Sequence, residues 1–177
     1  NEKLGIGGGK VLELQNGEYK ERTGDRPFVV AGAVALFRRR CYEEVGGFIP
    51  LKVGGEDSVA QISARMKGWE VKPFSELKVL HHRATGMGAG NVWGVRFREG
   101  VRDYLMGHHF GYYMVKCLGR ILEKPLLFGS LVRLFGYSLT ALKGEGRPVS
   151  PDFIRFHRRE QINRLKSSLK VRGNRGV

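Results

Sequence analysis

Three features of this 177-residue chain predict a mixed α/β fold. The apolar run Phe28-Val29-Val30-Ala31-Gly32-Ala33-Val34-Ala35-Leu36-Phe37 has the length and composition of a buried strand, and Leu77-Lys78-Val79-Leu80 reads as another. Between them, Val59, Ile62, Met66 and Trp69 recur at helical spacing behind the glycine break Gly54-Gly55. From Asn91 onward the pattern is helical throughout, which divides the chain into a mixed part, 1–90, and a helical tail, 91–177.

The glycine-rich start, Asn1 to Lys10, reads as the end of a loop or linker, with no phosphate-cradling pattern because its glycines follow no strand. Val11-Leu12-Glu13-Leu14 and Tyr19-Lys20-Glu21-Arg22 flank Gln15-Asn16-Gly17, which predicts a hairpin. Pro27 then opens the apolar run. Arg38 to Glu44 reads as a short helix stopped by Gly46-Gly47; its three successive arginines cannot share one helical face, so most are solvated.

Glu56, Asp57 and Ser58 open the next helix. Carboxylates in a first turn are favoured by the helix dipole, so spacing alone leaves them as caps or as catalytic groups. The helix stops at Lys67-Gly68, and an extended segment from Glu70 delivers His81 and His82 at its end. A histidine just past a strand is a metal ligand, an acid/base group or a packed residue, and two in succession point to opposite faces of the chain. Small residues around Gly32 let a ligand or another backbone come close, and core packing explains them equally.

Gly86, Gly88 and Gly90 punctuate a loop, after which Asn91-Val92-Trp93 leads into helix. His108 and His109 fall in an aromatic stretch where packing is the ordinary role of histidine. Residues 125–142 are the most apolar segment, broken by Arg133 and flanked by Lys124 and Lys143; it is too short to span a bilayer and reads as an amphipathic helix in the membrane interface or as a buried helical hairpin. From Lys143 on, ten basic residues face three acidic ones.

The overall balance is 31 Lys and Arg against 17 Asp and Glu, net +14, which calls for an anionic partner: nucleic acid, an anionic membrane face or a phosphate-bearing substrate. No zinc pattern or RNA-binding aromatic signature accompanies the charge, which makes nucleic acid the weaker choice and interleaved lipid contact the better one. Cys41 and Cys117 form neither a disulfide framework nor a metal pattern, which fits a reduced cytosolic setting.

Five stretches in order carry a resemblance: Val30 to Arg39, Tyr42 to Phe48, Gly54-Gly55-Glu56-Asp57, Ala64-Arg65-Met66-Lys67-Gly68-Trp69, and Leu77 to Arg83. In order and spacing they resemble the family-2 inverting glycosyltransferases of the GT-A fold, in a subgroup with a basic helical tail like that ending Phe156-His157-Arg158-Arg159-Glu160-Gln161. The resemblance implies that 1–90 is the acceptor-side half of such a domain and that 91–177 is a membrane-associating tail. It implies Asp57 as general base, supported by Glu56. His81 becomes a ligand of a divalent metal, Mg or Mn, or a contact of the donor diphosphate, with Gly32, Gly54, Gly55, His82 and Arg83 lining the substrate. The implied partners are a nucleotide-sugar donor, a glycan or lipid-linked acceptor and the inner face of a membrane, in the assembly of polysaccharide. Such enzymes grip their metal with an Asp-x-Asp motif that this chain lacks, so the chain is expected to be the C-terminal part of a longer protein and inactive by itself. Competing expectations are a basic nucleic-acid-binding module and a peripheral scaffold without chemistry.

Overall fold

β1, Leu4–Gln15, is the strand on which the sheet is assembled. The computed structural model describes residues 1–15, 17–21, 28–82, 91–122 and 125–173. It is a mixture of helix and strand in two compact units, one of Asn1–Pro50 with Gly54–Gly90 and the other of Leu51–Val53 with Asn91–Val177.

In the first unit, β2 (Glu18–Glu21) pairs antiparallel with the end of β1, Leu12 opposite Glu21, and β3 (Leu36–Phe37) pairs antiparallel with Gly7 and Ile6. β4 (Glu70–His81) runs parallel to β1 along nearly its whole length. Leu12 pairs with both β2 and β4, and Ile6 with both β3 and β4, so β2 and β3 share one edge of β1 and β4 takes the other.

Two segments differ from the sequence reading. The glycine-rich start is the first half of β1, and its glycines are there for packing: a Cβ on Gly8 would strike the Val30 side chain and the Val34 carbonyl. The apolar run after Pro27 is mostly not strand. Its backbone instead crosses the sheet and closes a 3-10 turn at Gly32–Val34, and only Leu36–Phe37 joins the ladder. The amide of Gln61 satisfies both backbone groups of Val30, donating to its carbonyl at 2.8 Å and accepting its N–H at 2.9 Å, so no strand partner is needed there.

α1 (Arg39–Val45) ends on left-handed Gly46, and α2 spans Glu56–Met66. The core of this unit is Ile6, Val30, Cys41, Ala64 and Val71, with Trp69 and Phe37 packed against it. Arg38, Arg39 and Arg40 are exposed; Arg39 and Arg40 pair with Glu43 and Glu44 one turn on.

The second unit is helical. α3 (Val92–Leu105) is capped by the Asn91 side chain, which accepts the Gly94 N–H at 2.8 Å. It is followed by α4 (Phe110–Gly119), α5 (Phe128–Leu142) and α6 (Pro151–Gly173). α3 and α5 cross backbone to backbone: a Cβ on Gly100 would strike the Arg133 carbonyl, and one on Gly136 the Phe97 carbonyl. Around that crossing pack Tyr104, Leu105, Tyr113, Cys117 and Tyr137, with the Tyr113 and Tyr137 rings stacked at 4.6 Å.

Candidate functional site

The acidic pair sits at a forced turn. Gly54 (φ 77°) and Gly55 (φ 110°) are both left-handed, a conformation that glycine alone takes without strain, and they turn the chain sharply into α2. Glu56 and Asp57 therefore occupy the first helical turn, where backbone N–H groups lack helical partners and the dipole favours negative charge. Oδ1 of Asp57 accepts the Ser58 N–H at 2.8 Å. Both carboxylates are half-buried.

The other side of Asp57 lies on Gly32. A Cβ at Gly32 would stand 2.6 Å from Asp57 Oδ2 and 2.9 Å from its Cβ, so a glycine is what lets the carboxylate lie flat against the 3-10 turn. The register of this contact is held by Gln61, one helical turn beyond Asp57, through its two hydrogen bonds to Val30. Gly32 is exposed, and the carboxylate it supports is accordingly at a solvent-reachable rim.

His81 ends β4 in register with Glu13 of β1; the histidine is exposed and Glu13 is buried. His82 Nδ1 and the Tyr19 hydroxyl of β2 hydrogen-bond at 2.8 Å, and the two rings meet edge to face. α2 and β4 are joined by the short turn through Gly68 and pack together, so they run in opposite directions and carry Asp57 and His81 toward the same end. A strand advances about twice as far per residue as a helix, and even with the bulge between Phe74 and Lys78 β4 follows β1 from Leu4 to Glu13, against the 11 helical residues of α2, so His81 lies beyond Asp57 along that direction. No hydrogen bond or ion pair joins either histidine to Asp57 among the described residues.

The structure thus brings together Gly32, Gly54, Gly55, Glu56 and Asp57, and places His81 and His82 as a separate pair at the end of β4. Arg83 and the glycine loop through 86–90 lie outside the described residues. Among the described residues no three His, Cys, Asp or Glu side chains converge on a point that would hold a metal ion. His81 with its neighbour Glu13 falls short of the donor set that Mg or Mn takes. Cys41 and Cys117 are free and buried, and burial raises both thiols.

Two residues of this region escaped the sequence reading. Gln61 carried a signal, a lone amide among Val59, Ala60 and Ile62 four residues after Asp57. Tyr19 carried none, because its meeting with His82 is made by sheet pairing. Comparison with known proteins brings no match: no family model fits the chain, and no curated protein and no solved structure is similar to it.

Proposed function

We propose that this chain is the acceptor-side part of an inverting family-2 glycosyltransferase of the GT-A type, with Asp57 as the general base. The observation that carries the reading is the seating of Asp57 against Gly32. Two stretches of the resemblance, far apart in sequence, meet there with a carboxylate at a helix start beside a small-residue turn. In the proposed reaction the acceptor hydroxyl oxygen bonds to the anomeric carbon as the bond to the leaving nucleoside diphosphate breaks. The hydroxyl proton passes to Asp57. Glu56 keeps the site acidic, and the exposure of Gly32 leaves the Asp57 carboxylate at a rim that an acceptor can reach from solvent.

Donor and leaving group would be held by groups outside this set, and the resemblance gives His81 the contact to the donor diphosphate. A glycan or lipid-linked acceptor at the cytoplasmic face of a membrane suits the basic character of the chain. The test is Asp57→Asn in the complete gene product. Glycosyl transfer, read as nucleoside diphosphate release in the presence of acceptor, is expected to fall by about 10²–10⁴ with nucleotide-sugar binding unchanged. Loss of donor binding, or transfer at the wild-type rate, overturns the assignment.

A further inference from the structure

α5 is built inside out. Its buried face carries Gly129, Arg133, Gly136, Tyr137 and Thr140, while Phe128, Leu131, Phe135 and Leu142 form a stripe on the opposite, exposed face. A helix on the surface of a water-soluble domain shows the reverse arrangement. The exposure is large: 60% for Phe128, 61% for Phe135 and 86% for Leu142. The apolar surface continues onto the preceding segment, where Leu118 is exposed and Leu122 is 82% exposed. Contiguous apolar exposure of this kind marks a docking surface.

The turn that enters α5 adds a second, independent sign. Leu127 is the one residue other than glycine with positive φ among those described, at φ 56° and ψ −56°, and the Phe128 N–H donates across it to the Leu126 carbonyl. That is a γ-turn of the strained hand. It points Leu126, Leu127 and Phe128 outward together, all exposed, where an ordinary turn would place polar residues.

We infer that this face, the outward stripe of α5 with the apolar tip before it, docks into the headgroup–acyl boundary of an anionic lipid bilayer. Charge selects that occupant. Residues 91–177 carry 17 Lys and Arg against six Asp and Glu, and the exposed Lys143 follows Leu142 directly at the end of the apolar stripe, where an ammonium meets phosphate headgroups. A second copy of the chain would bring another +14 against the same face. The geometry is interfacial: no helix among the described residues is long and apolar enough to cross a membrane, and α5, at 15 residues, is roughly 22 Å long against a hydrocarbon core of about 30 Å. This inference stands apart from the transferase reading, because vesicle binding needs neither donor nor acceptor.

The experiment is co-sedimentation of the whole chain with phosphatidylcholine vesicles carrying about a third phosphatidylserine, and with phosphatidylcholine alone. The wild type is expected to pellet with the anionic vesicles. Leu122→Ser with Phe128→Ser is expected to weaken that binding by about tenfold or more with an unchanged circular dichroism spectrum. Lys143→Glu is expected to weaken it less and in a salt-dependent manner, and Leu77→Ser, an exposed leucine of β4, is expected to leave it unaltered. A wild-type chain that stays in the supernatant overturns the proposal. So does undiminished binding by the Leu122/Phe128 variant, which would mean attraction by charge alone. A dimer in sedimentation velocity that the same two substitutions dissociate would assign the face to a second copy and overturn it equally.

Discussion

The two units of this chain differ in how many acidic and basic side chains they bury. The first buries Ile6, Val30, Cys41, Ala64 and Val71 and keeps its carboxylates Glu56 and Asp57 at a rim. The second buries Arg133, Asp103, His108, His157 and Gln161 and exposes Phe128, Phe135 and Leu142. Charge follows the same division: residues 1–90 carry 14 basic against 11 acidic groups, and residues 91–177 carry 17 against six. Both units have an apolar core, but among the described residues the first buries one acidic or basic side chain, Glu13, and the second buries four, Asp103, His108, Arg133 and His157. The second leans on buried polar pairs, which hold only while each partner keeps its charge state.

The strongest test of that difference is the buried pair of α3 and α5. Arg133 Nε donates to Glu99 Oε2 at 2.6 Å, with Arg96 Nη1 at 3.3 Å from the same carboxylate. Arg133 is 1% exposed. Burial alone would raise the Glu99 carboxyl, and the hydrogen bond and charge of Arg133 reverse this and hold it below the usual carboxylate range. Glu99→Ala leaves a buried guanidinium without that partner and is expected to cost about 3–5 kcal/mol, read by urea unfolding followed through the helical signal. The double variant Glu99→Leu with Arg133→Met is expected to recover part of the loss, since apolar pairs of similar volume replace buried ion pairs at little cost. A loss below about 1 kcal/mol in the single variant would mean that the pair does not hold the helices.

The elements set by local chemistry were legible beforehand. The Gly54-Gly55 break with Glu56 and Asp57 after it gave the start of α2, and Gly68 gave its end. What failed was set by tertiary contact. The glycines of β1 read as a linker because their role is the space they leave for other elements, Gly8 for Val30 and Val34 and Gly5 for Cys41 and Trp69, and a strand was expected over Phe28 to Phe37 because Gln61, which takes up the Val30 backbone, acts from another element. At the candidate site Asp57 was visible by type and position. Its contact with Gly32 was not, since it depends on where the 3-10 turn crosses. His108 was expected to pack and does so, 7% exposed, but its partners Asp103, Lys116 and His157 come from three helices that no spacing connects.

Those partners give a pH test of intermediate size. Burial, opposed in part by the Asp103 charge, lowers His108 to about 3, so it is neutral in the folded unit. Burial would raise Asp103, but the Lys116 ammonium, 2.6 Å away, and the charge of Arg102 hold it well below the usual range. An unfolded histidine takes up its proton near pH 6.5, so between that value and 3 the unfolded state binds more protons and stability falls as the pH falls. Asp103 acts in the same direction, its contribution present above the unfolded carboxylate value and lost as the pH drops through its folded one. The helical unit is expected to lose about 2 kcal/mol between pH 6.5 and pH 5 from His108 alone. His108→Gln should flatten that slope while leaving the steeper loss below pH 4. A slope unchanged in the variant would remove His108 as its source.

The smallest effect separates steric from conformational glycine in the first unit. Gly32 has no left-handed φ, and Ala fits its backbone, but the added methyl would press on Asp57 Cβ and Oδ2. Gly54 has φ 77° with nothing within 4 Å of a Cβ, so Ala there meets only backbone strain. Both substitutions are expected to cost about 1–2 kcal/mol of stability, for different reasons. They part company in the proposed function: Gly32→Ala moves the carboxylate or its helix, and if the transferase reading holds it lowers glycosyl transfer more than its stability loss explains. Gly54→Ala, whose side chain meets nothing, should lower it only in proportion to the folded fraction. Equal activity losses would mean that the turn into α2, rather than the seat at Gly32, fixes the position of Asp57, and the polar rim of the first unit would then be built by backbone geometry alone.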